Sequence, residues 1–201
     1  MNIIETNLKF TQTLSNRTKT NFIILHHSAA SGDVHSIHNH HLNQGYVGIG
    51  YHYYVRKDGS IYAGRPVQKT GAHCLNYNSV SVGVCFEGNF EKETMCNSQL
   101  AAGIWIVQYI KNMYPSATVI RHKDKNATAC PGKNFPFADL LKGKPIKKEI
   151  TLPKDIIGEL INGELKVEIN NVDAAIKFLE EAKKDNSSLY WILFKIVNRG
   201  K

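Results

Sequence analysis

The sequence predicts an α/β protein in which helices flank a mixed central β-sheet, followed by a small, mainly helical C-terminal module. Three observations predict this fold. β-rich and helical segments alternate over residues 1–143. An Asp-Gly pair, the strongest short hairpin signal, separates two of the β-rich segments. After Leu141, histidine, cysteine and most aromatic residues disappear, while Lys and Glu become common.

The first elements of the predicted domain are short. Residues 22–26 form a continuous apolar run, which indicates a strand buried on both faces. Residues 33–43 predict a helix with Asp33 as its N-cap. Residues 51–55 and 61–62 are predicted strands, and the Asp-Gly turn joins them.

Four further segments complete this domain: a strand at 80–86, a helix at 97–114, a strand at 118–120 and a short helix at 137–141. The long helix is predicted to begin at an Asn97 N-cap and to end before Pro115. Gly143 is the predicted stop of the last helix. The strands at 22–26 and 118–120 lead into histidines at their C-terminal ends, where such sheets usually place their chemistry.

Composition divides the chain into residues 1–143, a basic linker at 144–149 and a module at 150–201. Two helices are predicted in the module from apolar residues at helical spacing: Val172, Ile176 and Leu179 in the first, and Leu189, Ile192, Leu193, Ile196 and Val197 in the second.

Charge and apolar content limit the classes of partner. The chain has 25 Lys and Arg against 17 Asp and Glu, a formal net charge of +8, so polyanions are admissible partners. The basic residues are scattered and fit no nucleic-acid-binding motif, so no nucleic acid partner is predicted. No apolar run approaches the ~20 residues of a membrane helix, and the N-terminus lacks a signal-peptide pattern. We therefore expect a cytoplasmic product that does not insert into a membrane.

The four cysteines, Cys74, Cys85, Cys96 and Cys130, are too few for a dense disulfide framework. A pair between Cys74 and Cys85 is an alternative, but buried free thiols are the favoured interpretation.

One segment points to a metal. His122 leaves a strand end, a polar loop follows, and Cys130 stands just before Pro-Gly. Imidazole and thiolate are ligands that Zn²⁺ prefers, and a catalytic zinc site commonly takes three protein ligands. His26, at the end of a central strand, is the natural third ligand, although spacing alone leaves the adjacent His27 as an alternative.

The sequence resembles the zinc N-acetylmuramoyl-L-alanine amidases, the family that includes phage lysozyme-type amidases and peptidoglycan recognition proteins. The resemblance covers residues 20 to 141. The motifs that carry it occur in the family's order: His26-His27-Ser28-Ala29, Gly50-Tyr51-His52-Tyr53, Asp58-Gly59, Gly64-Arg65, Gly71-Ala72-His73, Val82-Gly83-Val84 and Thr128-Ala129-Cys130-Pro131-Gly132.

The resemblance implies one zinc ion and assigns its ligands to His26, His122 and Cys130. It also implies catalytic roles for two residues and substrate contacts for two more. Tyr51 matches the tyrosine that positions or deprotonates the attacking water, and Thr128 occupies the second catalytic position. His73 matches a cleft histidine expected to touch substrate, with Asn78 nearby.

One departure concerns a glutamate base that the cytoplasmic recycling branch and some phage amidases carry after Gly-Ile in a sheet strand. This chain has Gly83-Val84-Cys85 there, and Glu87, two residues on, does not match. We therefore expect Tyr51, and not Glu87, to serve the catalytic water.

The function implied is cleavage of the amide bond between N-acetylmuramic acid and L-alanine in peptidoglycan, by a phage or prophage endolysin that acts at the cell wall after release. A non-catalytic peptidoglycan-binding protein and a cytoplasmic muropeptide-recycling amidase are the alternatives. The module at 150–201 is expected to bind the wall, including its anionic polymers, or to mediate oligomerisation; the oligomeric state is left open.

Overall fold

The computed structural model describes residues 1–142, 156–161 and 164–169, and the chain divides into two compact units, Met1–Ile146 and Lys147–Lys201. The described part of the first unit contains these strands and helices: β1 Ile3–Ile4, β2 Phe22–His27, α1 Val34–Asn43, β3 Tyr53–Val55, β4 Ile61–Ala63, β5 Ser81–Phe86, α2 Asn97–Met113, β6 Thr118–Arg121 and α3 Phe137–Leu141. Short 3₁₀ turns lie at Asn78–Val80 and His122–Asp124.

The sheet is mixed, which confirms the predicted fold class. Its strand order is β1-β4-β3-β5-β2-β6. Strands β3, β5, β2 and β6 run parallel to one another, while β4 pairs antiparallel with β3 through the predicted hairpin. The short edge strand β1, which pairs with β4, was not predicted.

Helices cover both faces of the sheet. On one face, Leu25 and Val84 join a core with Ile106 of α2 and Leu140 of α3. On the other face, Cys85 packs in a smaller core with Val34 and Ile37 of α1 and with Tyr54. Because side chains alternate along a strand, successive residues of β2 and β5 serve opposite faces.

The start of α1 is as predicted: the side chain of Asp33 accepts a hydrogen bond from the Ser36 amide at 2.8 Å. The predicted cap of α2 is wrong by one residue. Cys96 has extended dihedral angles and holds the N-cap position, so Asn97 is already helical. The Cys96 thiol and the Ser98 hydroxyl both donate to the Lys57 carbonyl, which ties the start of this helix to the β3–β4 turn.

In the second unit, the described residues form two antiparallel strands, β7 Ile156–Ile161 and β8 Glu164–Ile169. The expectation of a mainly helical module did not include them. The sequence does carry their signal, since apolar residues alternate with charged ones along β8 and Asn162-Gly163, a favoured hairpin-turn pair, separates the strands. The linker, the Gly143 stop and the two helices predicted beyond residue 170 lie outside the described residues.

No helix within the described ranges combines the length and apolar character needed to cross a bilayer.

Candidate active site

His26 and His122 meet because their strands are neighbours. Strands β2 and β6 are parallel, with Leu25 opposite Arg121, so the next residue of each strand reaches the same edge of the sheet. Leu25 points into the core under α2, and His26 therefore points to the opposite face. The two imidazole rings lie 4.5 Å apart between centroids, and His26 is only 1% exposed.

Cys130 reaches the histidines through a loop that folds back on β2. The Lys123 amide donates to the Cys130 carbonyl at 2.9 Å, and the His27 amide donates to its sulfur at 3.4 Å. The sulfur then lies 3.8 Å from Nδ1 of His26. One ligand atom from each of His26, His122 and Cys130 lies within 4.8 Å of the other two.

These three residues fit a zinc ion. Burial lowers the pKa of His26 well below its usual value, and burial also lowers that of His122, so both imidazoles offer a lone pair near neutrality. Burial raises the pKa of the Cys130 thiol to about 11, so metal binding must displace its proton. Zn–N bonds of about 2.0–2.1 Å and Zn–S bonds of about 2.3 Å place tetrahedral ligands about 3.4–3.6 Å apart, close to the separation of the His26 and Cys130 atoms.

Asn126, which the sequence analysis missed, holds His122. Its Oδ1 accepts a hydrogen bond from Nε2 of His122 at 3.0 Å and another from the Cys74 thiol at 3.0 Å. A metal-ligating histidine usually has such a partner for its second nitrogen. The only sequence signal was a polar residue four positions after His122.

A cleft of about 610 Å³ opens beside the group formed by His26, His122 and Cys130. Four predicted site residues line it together with His122: Tyr51, His73, Asn78 and Thr128. Tyr46 and Leu75 also line the cleft and are 51% and 72% exposed, so they form part of its rim. Neither was singled out from the sequence.

Tyr51 lies beside the candidate metal ligands, and the centroid of its ring is 5.1 Å from that of the His26 ring. Burial, followed by the neighbouring Cys85 and Cys130 thiols, raises the pKa of Tyr51 well above its usual value. Its hydroxyl lies against the Cys85 thiol, and Cys85 pairs with His26 in the sheet. The phenol therefore keeps its proton and is a hydrogen-bond donor.

The remaining predicted residues have distinct surroundings. Thr128 is exposed at the cleft, and its hydroxyl accepts from the Cys130 amide at 3.2 Å. Asn78 uses Oδ1 to accept from the amides of His73 and Cys74, at 2.7 and 2.9 Å, which fixes the loop carrying His73. His73 itself is 8% exposed, and its Nδ1 lies 3.0 Å from Nε2 of His26.

Two residues weighed from the sequence, His27 as a metal ligand and Glu87 as a catalytic base, lie away from His26, His122 and Cys130. His27 points to the other face of the sheet, where its ring stacks on Phe90 and its Nδ1 accepts from the Phe90 amide. Glu87 is buried and structural: its carboxylate accepts from the Gly32 and Lys57 amides and from Arg56.

The cysteine expectation is confirmed, since Cys74 and Cys85 are buried free thiols.

The sequence that forms this mixed sheet and its cleft matches a known family of amidases. A family model described as N-acetylmuramoyl-L-alanine amidase (Amidase_2) matches residues 16–133, and the chain belongs to this family.

The chain is similar to proteins of phages, bacteria and insects. It is 32% identical to an endolysin of Enterobacteria phage K11 over 57% of this chain and 82% of that protein. It is 28% identical to peptidoglycan-recognition protein SC2 of Drosophila melanogaster, over 57% of this chain and 69% of that protein. Among solved structures, N-acetylmuramoyl-L-alanine amidase LysC from Clostridium intestinale is 38% identical, with a TM-score of 0.68 over 70% of this chain and 95% of that one.

Proposed function

We propose that this chain hydrolyses the amide bond between N-acetylmuramic acid and L-alanine of peptidoglycan with a water activated by one zinc ion, held by His26, His122 and Cys130. Peptidoglycan hydrolysis follows from membership of the amidase family. The observation that supports the metal is the grouping of three ligand atoms within 4.8 Å beside the cleft.

The ligands suit a hydrolytic metal. Zinc, when bound, supplies a nucleophilic water at neutral pH and polarises a carbonyl. Two neutral imidazoles and one thiolate hold the ion with a net protein charge of only −1, which leaves it electrophilic. A zinc ion held by three protein ligands would keep a fourth coordination position for water.

Two cleft residues of the chain then act on the reacting groups. Tyr51, a protonated phenol beside His26, donates a hydrogen bond that orients the attacking water. Thr128 stands at the open side of the cleft next to Cys130, and its hydroxyl donates to the oxyanion that forms on the lactyl carbonyl. The Thr128 oxygen accepts from the Cys130 amide, which leaves the hydroxyl hydrogen available to a second acceptor.

The setting we propose is lysis of the cell wall after release from the cell in which the protein is made. The open cleft with its exposed Tyr46 and Leu75 suits a polymer, which must enter from the side. Relatives named endolysins support this setting over recycling of soluble muropeptides. The module at 150–201 stays a prediction: wall binding, including binding of anionic wall polymers, or oligomerisation.

Cleavage rates on two substrates test whether the chain acts on the intact cell wall or on soluble muropeptides. We expect the purified full-length chain to clear a suspension of intact sacculi and to act more slowly on soluble disaccharide-peptides at equal bond concentration. Faster cleavage of the soluble fragments, with sacculi left intact, would favour a recycling amidase.

A further inference from the structure

We propose that His73 is a positioning residue for the metal ligand His26: it fixes the His26 tautomer so that Nδ1 faces the metal, and it does not contact substrate. This inference rests on the zinc site proposed above. It replaces the substrate-binding role expected for His73 from the sequence.

A chain of hydrogen bonds runs from His26 into the protein. Nε2 of His26 lies 3.0 Å from Nδ1 of His73, and the rings meet edge to face at 84°. Nε2 of His73 lies 3.4 Å from Oγ of Ser81. The Ser81 hydroxyl donates to the Tyr77 carbonyl at 2.7 Å.

The direction of each bond follows from the last one. A carbonyl cannot donate, so the Ser81 hydrogen points to Tyr77, and Oγ can only accept from His73. His73 therefore carries its proton on Nε2 and accepts at Nδ1. His26 must then donate from Nε2, which leaves the lone pair on Nδ1, the atom 3.8 Å from the Cys130 sulfur.

The His73 ring is held in place from several sides. A Cβ on Gly83 would lie 2.6 Å from this ring, and one on Gly71 would lie 2.5 Å from it, so both glycines leave room for the imidazole. Asn78 fixes the backbone of His73 through its amide. Both ring nitrogens are engaged inside the protein, so His73 has none to offer a substrate.

The hydrogen bond from His26 to His73 affects the orientation and the basicity of His26 as a metal ligand. An outer partner that accepts from a ligating histidine fixes its ring and raises its donor strength, and losing such a partner typically costs about 10–100-fold in metal affinity. Here the acceptor is a neutral imidazole, which adds no charge to the site.

Two variants with the same branching at Cγ separate this role from mere packing. His73→Asn keeps an acceptor, Oδ1, near the position of Nδ1, whereas His73→Leu offers no acceptor. Zinc dissociation constants are measured by competition with a chromophoric chelator, after circular dichroism and melting of the metal-free proteins show that both fold. We expect His73→Leu to weaken zinc binding about 10–100-fold and His73→Asn to stay within about threefold of the wild type, because it restores the hydrogen bond.

Imidazole ¹⁵N NMR of the zinc-loaded wild type gives a second readout. We expect protons on Nε2 of both His26 and His73. A proton on Nδ1 of His73, or equal zinc affinity in wild type and His73→Leu, would overturn the inference. Failure of the wild type itself to bind zinc would instead refute the proposed zinc site, so the two failures are distinguishable.

Discussion

Nδ1 of His26 lies 3.8 Å from the sulfur of Cys130, although the two residues are 104 positions apart in the chain. The contact exists only when strand β2 is in the sheet and the loop after His122 has folded back over it. Because these ligand atoms are assembled by the tertiary fold, a metal that binds them stabilises the folded state.

Zinc should therefore raise the melting temperature of the chain. Free zinc at 1,000 times its dissociation constant adds about 4 kcal/mol to the free energy of unfolding. Differential scanning calorimetry with and without zinc measures the shift. Cys130→Ser should lose most of it, whereas Cys96→Ser, which removes an exposed thiol at the start of α2, should keep it. An equal shift in both variants would show that zinc stabilises through other groups.

Tyr51→Phe should reduce kcat about 10²-fold while the zinc content stays the same, because it removes only the hydroxyl that orients the water. Steady-state kinetics and metal analysis of the same preparation check this. Tyr62→Phe is the matched control, since Tyr62 lies on β4, does not line the cleft and interacts with Arg56. If Tyr51→Phe kept full kcat, the phenol would have no part in the reaction.

Thr128→Val and Thr128→Ser test the hydroxyl at the cleft. Valine keeps the shape of threonine and removes the donor, so kcat should fall about 10²-fold. Serine keeps the hydroxyl and its bond from the Cys130 amide, and its kcat should stay within about fivefold of the wild type. A loss in Thr128→Ser alone would mean that the methyl group, and not the hydroxyl, matters, and full kcat in Thr128→Val would show that the hydroxyl has no part in the reaction.

The free energy of unfolding should decrease at acidic pH because of the buried His52. Burial lowers the pKa of His52 to about 3; its Nδ1 accepts from the Gly83 amide, and its Nε2 donates to the Lys69 carbonyl. Below pH ~6.5 the unfolded chain binds a proton at this residue that the folded chain excludes. The free energy of unfolding therefore decreases as pH falls from ~6.5 toward 3, by about 1.4 kcal/mol per pH unit.

Urea titrations at several pH values check this, in a Cys130→Ser background so that metal binding adds no pH dependence. His52→Asn should be less stable at pH 8, because it loses the bond to Lys69, but it should lose less stability between pH 7 and 5. An unchanged slope would mean that His52 is not the group that senses acid.

Much of the fold could be predicted because its signals are local. The apolar run of β2, the Asp33 cap of α1 and the hairpin between β3 and β4 depend on neighbouring residues and appear as predicted. Strand β1 has only two residues and no pattern of its own, so nothing in the sequence announces it. The β7–β8 hairpin did have a local signal, the Asn162-Gly163 pair, and the interpretation of the module as helical passed over it.

The candidate site shows the same division. His26, His122 and Cys130 stand in recognisable motifs, and the structure groups them. The residues that bond to the two histidines do not stand in such motifs. Asn126 reaches His122 only because the loop curls, and His73 reaches His26 across 47 positions, through the placement of its own loop over β5. His38 of α1 is a further case, since it is buried against Phe10 and accepts from the Ile49 amide, and both partners lie in other parts of the chain.

Mass analysis of the products from purified peptidoglycan tests the central claim most directly. Wild type and Cys130→Ser would be compared as purified, after chelation and after zinc is returned. The account predicts free L-alanine amino termini from the wild type, lost on chelation, restored by zinc, and absent with Cys130→Ser at every step. Release that survives chelation and the loss of Cys130 would contradict a zinc amidase built on these three ligands.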